Sequence, residues 1–307
     1  MNLLSRVLSV SLVHILNERI TPRAGAMALL TAVLWGGNSL AIKIALAGAP
    51  PIALAGIRFL VGGLVILVWS AWSRIPLRLE AADRKGFASL MLIFLAQILL
   101  LNEGTNHTLA SRSSVLMSAY PFFTAFFAHM FIPGDRLSRF KVLGMALSFI
   151  GVVLLFAESL MLREFQYLAG DLLMLASAVL LGARQVYTKR LTQGVHPCKV
   201  LVWQAGLSLP VFALLSAMFE RGASYQFTPA VLAAIFYQGV VVAGFCFVAL
   251  VSLMRRYSAS RLGAYGFVTP VVGVALSALL LGEGISVTLA GSVVLVGAGI
   301  TVANREA

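Results

Sequence analysis

The feature that most constrains this chain is a succession of long apolar stretches joined by short connections. Because a hydrocarbon core is about 30 Å thick, a helix rising 1.5 Å per residue needs roughly 20 apolar residues to cross it. The 307-residue sequence contains ten such stretches, at 24–46, 51–72, 86–106, 113–131, 140–157, 169–189, 197–218, 229–252, 261–281 and 286–303. Barrel strands would be about ten residues long and would alternate in polarity, which these stretches do not. We therefore predict an all-α integral membrane protein with ten transmembrane helices.

The composition excludes an ordinary soluble enzyme. Charged residues make up 11% of the chain and hydrophobic residues 60%, whereas a soluble domain carries about 25% charged residues. The net charge of +12 does not require nucleic acid, because membrane proteins concentrate Lys and Arg in cytoplasmic loops. Cys198 and Cys246 lie in or beside apolar runs and indicate neither a disulfide framework nor a metal site. We expect a monomer whose partners are the lipid bilayer and a small-molecule substrate, with no nucleic acid and no cofactor.

The basic residues predict the orientation of the chain. With both termini assigned to the cytoplasm, the inner segments hold Arg6, Arg19, Arg23, Arg74, Arg78, Arg84, Lys85, Arg136, Arg139, Lys141, Lys189, Arg190, Lys199, Arg255, Arg256, Arg261 and Arg305. The outer loops hold only Arg112, Arg163 and Arg221. This bias in short loops predicts cytoplasmic termini and, for a bacterial chain, the inner membrane. Residues 1–23 are interpreted as a retained interfacial segment, since Arg6 interrupts any signal-peptide core.

The sequence also contains an internal repeat. Residues Ala32–Gly36 recur as Ala178–Gly182, 146 positions later. At the same offset, Lys43, Gly48 and Pro51 correspond to Lys189, Gly194 and Pro197. Farther on, Ala110-Ser111-Arg112 followed by Pro121 recurs as Ala259-Ser260-Arg261 followed by Pro270, at an offset of 149. We therefore divide the chain into a segment 1–23, a first five-helix repeat 24–157, a periplasmic linker 158–168, a second repeat 169–303 and a tail 304–307.

An odd number of helices in each repeat predicts that the two halves enter the membrane from opposite sides. Inverted repeats that enclose a central site are typical of alternating-access transporters. A membrane enzyme and a non-transporting scaffold are the alternatives. The chain lacks H-E-x-x-H, G-x-S-x-G and paired intramembrane aspartates, so we expect no enzymatic activity.

In several short motifs, the sequence resembles the ten-helix EamA-type exporters of the drug/metabolite transporter superfamily. The resemblance rests on the run Trp35–Asn38 with Lys43, on Arg58 after Pro51, and on the Ala-Ser-Arg…Pro pattern of both halves. Asp135 and Glu283, each 13 or 14 residues beyond its helix proline, also fit. The resemblance implies export of aromatic or neutral amino acids. It also implies a cavity lined chiefly by helices 1, 3, 4, 6, 8 and 9, with helices 5 and 10 at the periphery.

Three cations fall inside the predicted membrane segments. Lys43 and Arg184 lie close enough to helix ends to snorkel to the headgroups, with a substrate role as the alternative. Arg58 lies seven residues into helix 2, where it is either a structural anchor bonded to backbone carbonyls or a gate. Transport of a sugar phosphate or nucleotide sugar would require cations facing the cavity, so the positions of Arg58 and Arg184 distinguish that alternative.

No carboxylate is expected near the middle of any predicted helix. The related small multidrug resistance proteins carry a Glu in helix 1, where this chain offers Asn38, so a cationic substrate is disfavoured. The middle of the membrane instead holds neutral polar and aromatic residues, which we predict to line the cavity: Trp35, Asn38, Gln97, Tyr120, Gln185, Tyr187, Tyr237, Gln238 and Tyr265. Amides among aromatic walls suit a small neutral or zwitterionic solute such as an amino acid, although each residue could instead make only interhelical hydrogen bonds.

Proline residues mark candidate hinges. Pro121 and Pro270 fall near the middles of helices 4 and 9 at equivalent positions of the two repeats, and each removes a backbone hydrogen bond. We predict that they act as hinges, with static kinks as the alternative. Pro210 is expected to kink helix 7 in the same way.

Overall fold

The computed structural model describes residues 18, 20–132, 135, 138–161, 165–259, 262, 264–303 and 305. It contains ten long helical segments, α1 (Pro22–Leu46), α2 (Pro51–Trp72), α3 (Arg84–His107), α4 (Ala110–Phe131), α5 (Arg139–Met161), α6 (Leu168–Thr192), α7 (Pro197–Phe219), α8 (Pro229–Arg256), α9 (Val268–Leu281) and α10 (Val287–Ala303). Among the described residues there is no β-strand beyond one isolated bridge. Outside the described residues lie the predicted interfacial segment up to residue 17, Ser260, Arg261, and the loop residues Arg6, Arg19, Arg136 and Arg163.

Seven of these helices, α1 to α4 and α6 to α8, are long and apolar enough to cross a membrane. Their apolar character is not confined to the protein interior. Along α2, Leu60, Leu64 and Val68 are 47%, 51% and 65% exposed, and their spacing of four residues places them on one face. An exposed apolar stripe of this length is the expected surface of a helix that faces lipid.

Proline fixes several helix starts. α2, α7 and α8 begin at Pro51, Pro197 and Pro229, because the missing N–H of proline is not needed in the first turn. Two helices are interrupted instead. α1 has a turn at Gly37, and α4 is interrupted at Ser118 and Ala119, within the turn before Pro121.

Helices at equivalent positions of the two repeats run antiparallel. Glu220 at the end of α7 accepts hydrogen bonds from the amides of Ile52 and Ala53 at the start of α2, at 2.6 and 2.9 Å. Near the opposite end of the pair, the indole N–H of Trp203 donates to the carbonyl of Leu77 at 2.7 Å. The start of α2 therefore meets the end of α7, and the end of α2 approaches the start of α7.

The second such pair is α5 with α10. Ser148 donates to the carbonyl of Val296 at 3.1 Å. Gly299 packs against Ser148, and Gly151 packs against Ser292. Residue numbers rise along α5 as they fall along α10, so this pair is also antiparallel.

Candidate functional site

A central cavity lies where α1, α2, α3, α4, α6, α8 and the start of α9 meet. It encloses about 880 Å³ of space free of protein atoms, its open mouth included. No described residue of α5 or α10 lines it. The wall includes α2, which the family resemblance did not include, through Arg58 and Phe59.

Six of the nine residues predicted to line the cavity do so. They are Trp35, Asn38, Gln97, Tyr120, Gln238 and Tyr265. The Trp35 ring packs against Phe247 with centroids 5.3 Å apart. The side-chain oxygens of Asn38 and Gln97 are buried and have no hydrogen-bond partner. Because a buried polar atom without a partner is costly, these oxygens are available to a bound molecule.

The other three predicted residues do not line the cavity. Gln185 accepts a hydrogen bond from Thr124 at 3.4 Å and borders a smaller neighbouring pocket. Tyr187 packs in a separate cluster beside Phe87. The hydroxyl of Tyr237 donates a hydrogen bond to the carbonyl of Leu34. Rotation around the helix explains the error for α6, since a step of one residue turns a side chain by about 100°.

Tyr237 instead stabilises the interruption in α1. The turn at Gly37 prevents a regular helical hydrogen bond at that point, and the Tyr237 hydroxyl donates to Leu34 within the preceding turn. A side chain at position 37 would meet this hydroxyl at 2.8 Å, so the close approach requires glycine. Asn38 begins the second part of α1 directly beyond this turn. The interruption therefore places Asn38 at the cavity.

Lys43 has a structural role at a helix junction. Its ammonium donates to the carbonyls of Thr105, Asn106 and Thr108, at 3.1, 3.1 and 2.7 Å. These are carbonyls at the end of α3, which have no partner within the helix. Lys43 therefore neither snorkels freely nor faces the cavity.

The repeat-related Lys189 does the same in the second half. It donates to the carbonyls of Met254 and Tyr257 at the end of α8, at 3.1 and 2.9 Å.

Acidic residues accept hydrogen bonds from the free amides at the starts of helices. Glu283, whose position fitted the family resemblance, accepts from the amides of Ala110 and Ser111 at the start of α4, both at 2.9 Å. These charged residues join helix ends and leave the cavity to other groups.

Arg58 and Arg184 both line the cavity. Arg58 does not bind backbone carbonyls at the outer helix end, as the anchor interpretation required; its guanidinium donates to the side-chain oxygen of Gln238 at 3.2 Å. Arg184 does not extend to the inner surface, because it is 7% exposed and lies over the rings of Phe94 and Phe247 at 5.2 and 5.3 Å. Cations facing the cavity are what transport of a sugar phosphate or nucleotide sugar would require, and both of these substrate classes are anionic.

The aromatic rings under these arginines escaped the sequence analysis. The Phe59 ring centroid lies 4.6 Å from the guanidinium carbon of Arg58. The same centroid is 4.6 Å from that of Phe94 and 5.9 Å from that of Phe247. A phenylalanine directly beside a buried arginine was the available signal, since Arg stacks on aromatic faces.

Gln238 is positioned by an unusual stretch of α8. Residues Tyr237–Cys246 form a π-helix. This kind of helix is rare in proteins, and many of its occurrences are at functional sites. The amide nitrogen of Gln238 donates to the carbonyl of Ala41 at 3.0 Å, which turns its oxygen toward Arg58. α8 thereby links the interrupted helix α1 to the arginine of α2.

The repeat-related prolines lie beside irregular backbone. α4 is interrupted just before Pro121, and α9 begins only at Val268, after a 3₁₀ turn over Ala264–Phe267. Each proline lacks the N–H that a continuous helix would use one turn earlier. The predicted start of helix 9 at residue 261 lies outside the described residues, and its described neighbours Ala259 and Leu262 are helical. Pro210 lies inside α7, which continues through it.

The cavity wall contains two cations, amides and aromatic rings, and no Asp or Glu among its described lining residues. No cluster of three or more His, Cys, Asp or Glu that could hold a metal occurs in the described part of the chain. Such a wall can hold a small molecule by stacking, hydrogen bonding and pairing with negative charge.

Comparison with known proteins assigns the family. The model of the EamA-like transporter family matches twice, at residues 22–157 and 168–305. The chain is 30% identical over 284 residues to a "Probable amino-acid metabolite efflux pump" of Salmonella typhimurium, covering 88% of this chain and 91% of that protein. A protein of the same name from Escherichia coli is 28% identical, with 84% and 87% covered. A crystal structure superposes with a TM-score of 0.73 at 20% identity, covering 93% of this chain and 99% of that chain. The chain belongs to the EamA-like transporter family, and is a membrane-spanning transporter of the EamA type within the drug/metabolite transporters.

Proposed function

We propose that this chain exports small amino-acid-type metabolites across the bacterial inner membrane by alternating access. In this proposal all ten helical segments cross the bilayer, the two halves have opposite orientations, and both termini are cytoplasmic. The names of the two efflux-pump relatives support the substrate class, and the antiparallel pairs α2–α7 and α5–α10 support the inverted arrangement. The single observation that carries the proposal is the central cavity, which the helices of both repeats enclose together.

Alternating access requires elements that can change shape around a fixed site. The turn at Gly37, the interruption before Pro121 and the 3₁₀ turn before Pro270 all adjoin the cavity. We assign hinge roles to Pro121 and Pro270, which are equivalent in the two repeats. Arg58, as a residue of the wall bonded to Gln238 across the α2–α8 contact, is the candidate gate.

Counterflow into proteoliposomes tests the proposal. We expect the purified full chain to exchange labelled aromatic amino acids or their carboxylic acid derivatives across the vesicle membrane. Trp35→Ala should reduce this flux by about tenfold or more, since it removes a ring from the cavity wall. The matched control is Trp72→Ala, whose ring is 82% exposed at the end of α2 and should leave flux unchanged.

Two results would count against the proposal. Absence of flux for every amino acid and derivative would overturn transport of this class. Equal losses of folded protein and of flux in Trp35→Ala would assign Trp35 to packing, and the cavity would no longer be the transport site.

A further inference from the structure

Two like charges share the cavity, and no Asp or Glu occurs among its described lining residues. Arg58 and Arg184 are 3% and 7% exposed and lie against one aromatic cluster, Phe59, Phe94 and Phe247. The guanidinium carbon of Arg58 lies 4.6 Å from the Phe59 ring centroid, that of Arg184 lies 5.2 Å from the Phe94 ring centroid, and the two ring centroids are 4.6 Å apart. Placing two buried guanidinium groups together costs free energy unless something neutralises them.

Other buried cations of the described chain have their compensation within the protein. Arg112 pairs with Asp171, and Lys199 pairs with Asp83 at 2.9 Å. Lys189 donates to two helix-end carbonyls. Buried cations elsewhere in the described chain therefore have partners that compensate their charge, and the two cavity arginines are the exception.

The cavity arginines also keep free donors. Nε of Arg58 and Nη1 of Arg184 are buried without a hydrogen-bond partner. The one hydrogen bond found for Arg58 among the described residues goes to a neutral amide, that of Gln238. Donors that are buried, charged and unpartnered at a cavity wall match the requirements of an anion.

The two repeats differ at these positions. At the offset of 146 residues, Arg58 corresponds to Gln204 and Arg184 corresponds to Asn38. Lys43 and Lys189, which seal helix ends, are the same in both halves. Each half thus contributes one arginine from a different helix, and the pair meets only when both halves are assembled around the cavity.

We infer that Arg58 and Arg184 together bind the carboxylate of a small organic anion whose apolar or aromatic body packs against Trp35 and Phe247. This inference rests on the proposed function and specifies its substrate class. A guanidinium offers paired N–H groups that match the two oxygens of a carboxylate. The described part of the wall offers no carboxylate for an ammonium group, so an acid without an amino group binds more tightly than the corresponding amino acid.

Binding to the purified full chain in detergent tests the inference without requiring transport. The probes share one phenyl ring and differ in charge: 3-phenylpropionate is an anion, phenylalanine a zwitterion and phenylalaninamide a cation. We expect calorimetry to give about tenfold tighter binding of 3-phenylpropionate than of phenylalanine, the equivalent of one charge-assisted interaction. Phenylalaninamide should bind weakest. Equal affinities for the three probes would overturn the inference.

Variants locate the site. Arg58→Gln and Arg184→Gln should each weaken binding of 3-phenylpropionate by about tenfold or more, and Arg→Lys at either position should weaken it less. The control is Arg221→Gln, an exposed loop arginine that donates to the carbonyl of Ala217; it should bind normally. Wild-type binding in both cavity variants would overturn the inference. The comparison of probes on the unaltered chain remains decisive if a variant fails to fold.

Two further measurements separate the possible failures. Phenyl phosphate carries the same ring on a phosphoryl group. Tighter binding of this probe than of 3-phenylpropionate would overturn the inferred carboxylate and show that the site prefers a phosphate. In proteoliposomes, equal flux of phenylalanine and of its acid would overturn this inference while leaving the proposed function intact. Tight binding of the acid with no flux of any solute would overturn the proposed function while leaving the anion site intact.

Discussion

The helix ends and the central cavity of this molecule use buried positive charge in opposite ways. At the helix ends, Lys43 and Lys189 occupy equivalent positions of the two repeats and donate to carbonyls that the helices leave unpaired. In the cavity, Arg58 and Arg184 occupy positions that the repeats do not share, and each keeps a buried nitrogen without a partner. Of these four cations, the two lysines that both halves share join helix ends, whereas the two arginines that are each unique to one half line the cavity.

The difference implies different consequences of mutation. Removing a cation that the protein has fully compensated leaves polar partners buried and alone, so stability falls. Removing a cation that the protein has left uncompensated relieves a cost, so stability is kept while ligand binding is lost. Unfolding measurements on detergent-purified protein can test each side of this comparison.

The largest effect is expected at the buried ion pair that joins α4 to α6. Arg112→Ala removes the partner of Asp171, which is 0% exposed and also accepts from Thr108 at 2.6 Å. Breaking such a pair from one side costs about 3–5 kcal/mol. Chemical denaturation should record this loss, and Arg221→Ala serves as the exposed control. A loss below about 1 kcal/mol, the value of an exposed pair, would contradict the scaffold interpretation.

Smaller losses are expected for the two lysines. Lys189→Met and Lys43→Met each remove charge-assisted hydrogen bonds worth about 1.5–3 kcal/mol. Lys189 should cost more, because it is 0% exposed whereas Lys43 is half-buried. Thermal unfolding of the two variants side by side measures this order. The reverse order would contradict the argument that the more deeply buried lysine contributes more to stability.

These lysines also illustrate what the sequence could predict. The repeat offset paired Lys43 with Lys189, and prolines fixed the starts of α2, α7 and α8. Apolar length indicated a membrane-spanning all-α chain. The contacts of the lysines were out of reach, because they depend on carbonyls 62 to 68 residues away.

The details of the cavity were only partly predictable. Polar residues occupy most of the positions that follow Arg184 in α6, so the sequence does not indicate which of them faces the cavity. The cavity is lined by Arg184 instead of the predicted Gln185 or Tyr187. The role of Tyr237 depends on the turn at Gly37, which tertiary packing creates. Residue type identified the candidates, and only the packing of helices selected among them.

A cavity arginine should behave unlike the lysines. Arg184→Gln in the ligand-free protein is expected to change the free energy of unfolding by less than about 1 kcal/mol, because the lost ring contacts offset the removal of an uncompensated charge. Denaturation without ligand measures this change, and Lys189→Met is the comparison variant. A loss of about 3 kcal/mol would place Arg184 with the scaffold and remove the distinction between the two regions.

A similarly small effect is expected at Gln97, which belongs to both regions. Its amide nitrogen donates to Ser177 at 3.0 Å, and Ser177 in turn donates to the Gln97 carbonyl at 2.9 Å, while its side-chain oxygen is unpartnered at the cavity. Ser177→Ala should cost about 0.6 kcal/mol for each of the two hydrogen bonds that it removes, the average for an interhelical hydrogen bond in a membrane protein. The same variant frees the Gln97 amide to rotate, so binding of 3-phenylpropionate should change as well. A change in stability with unaltered binding would mean that Gln97 serves the scaffold alone, and that the cavity recognises its ligand through the arginines and aromatic rings without this amide.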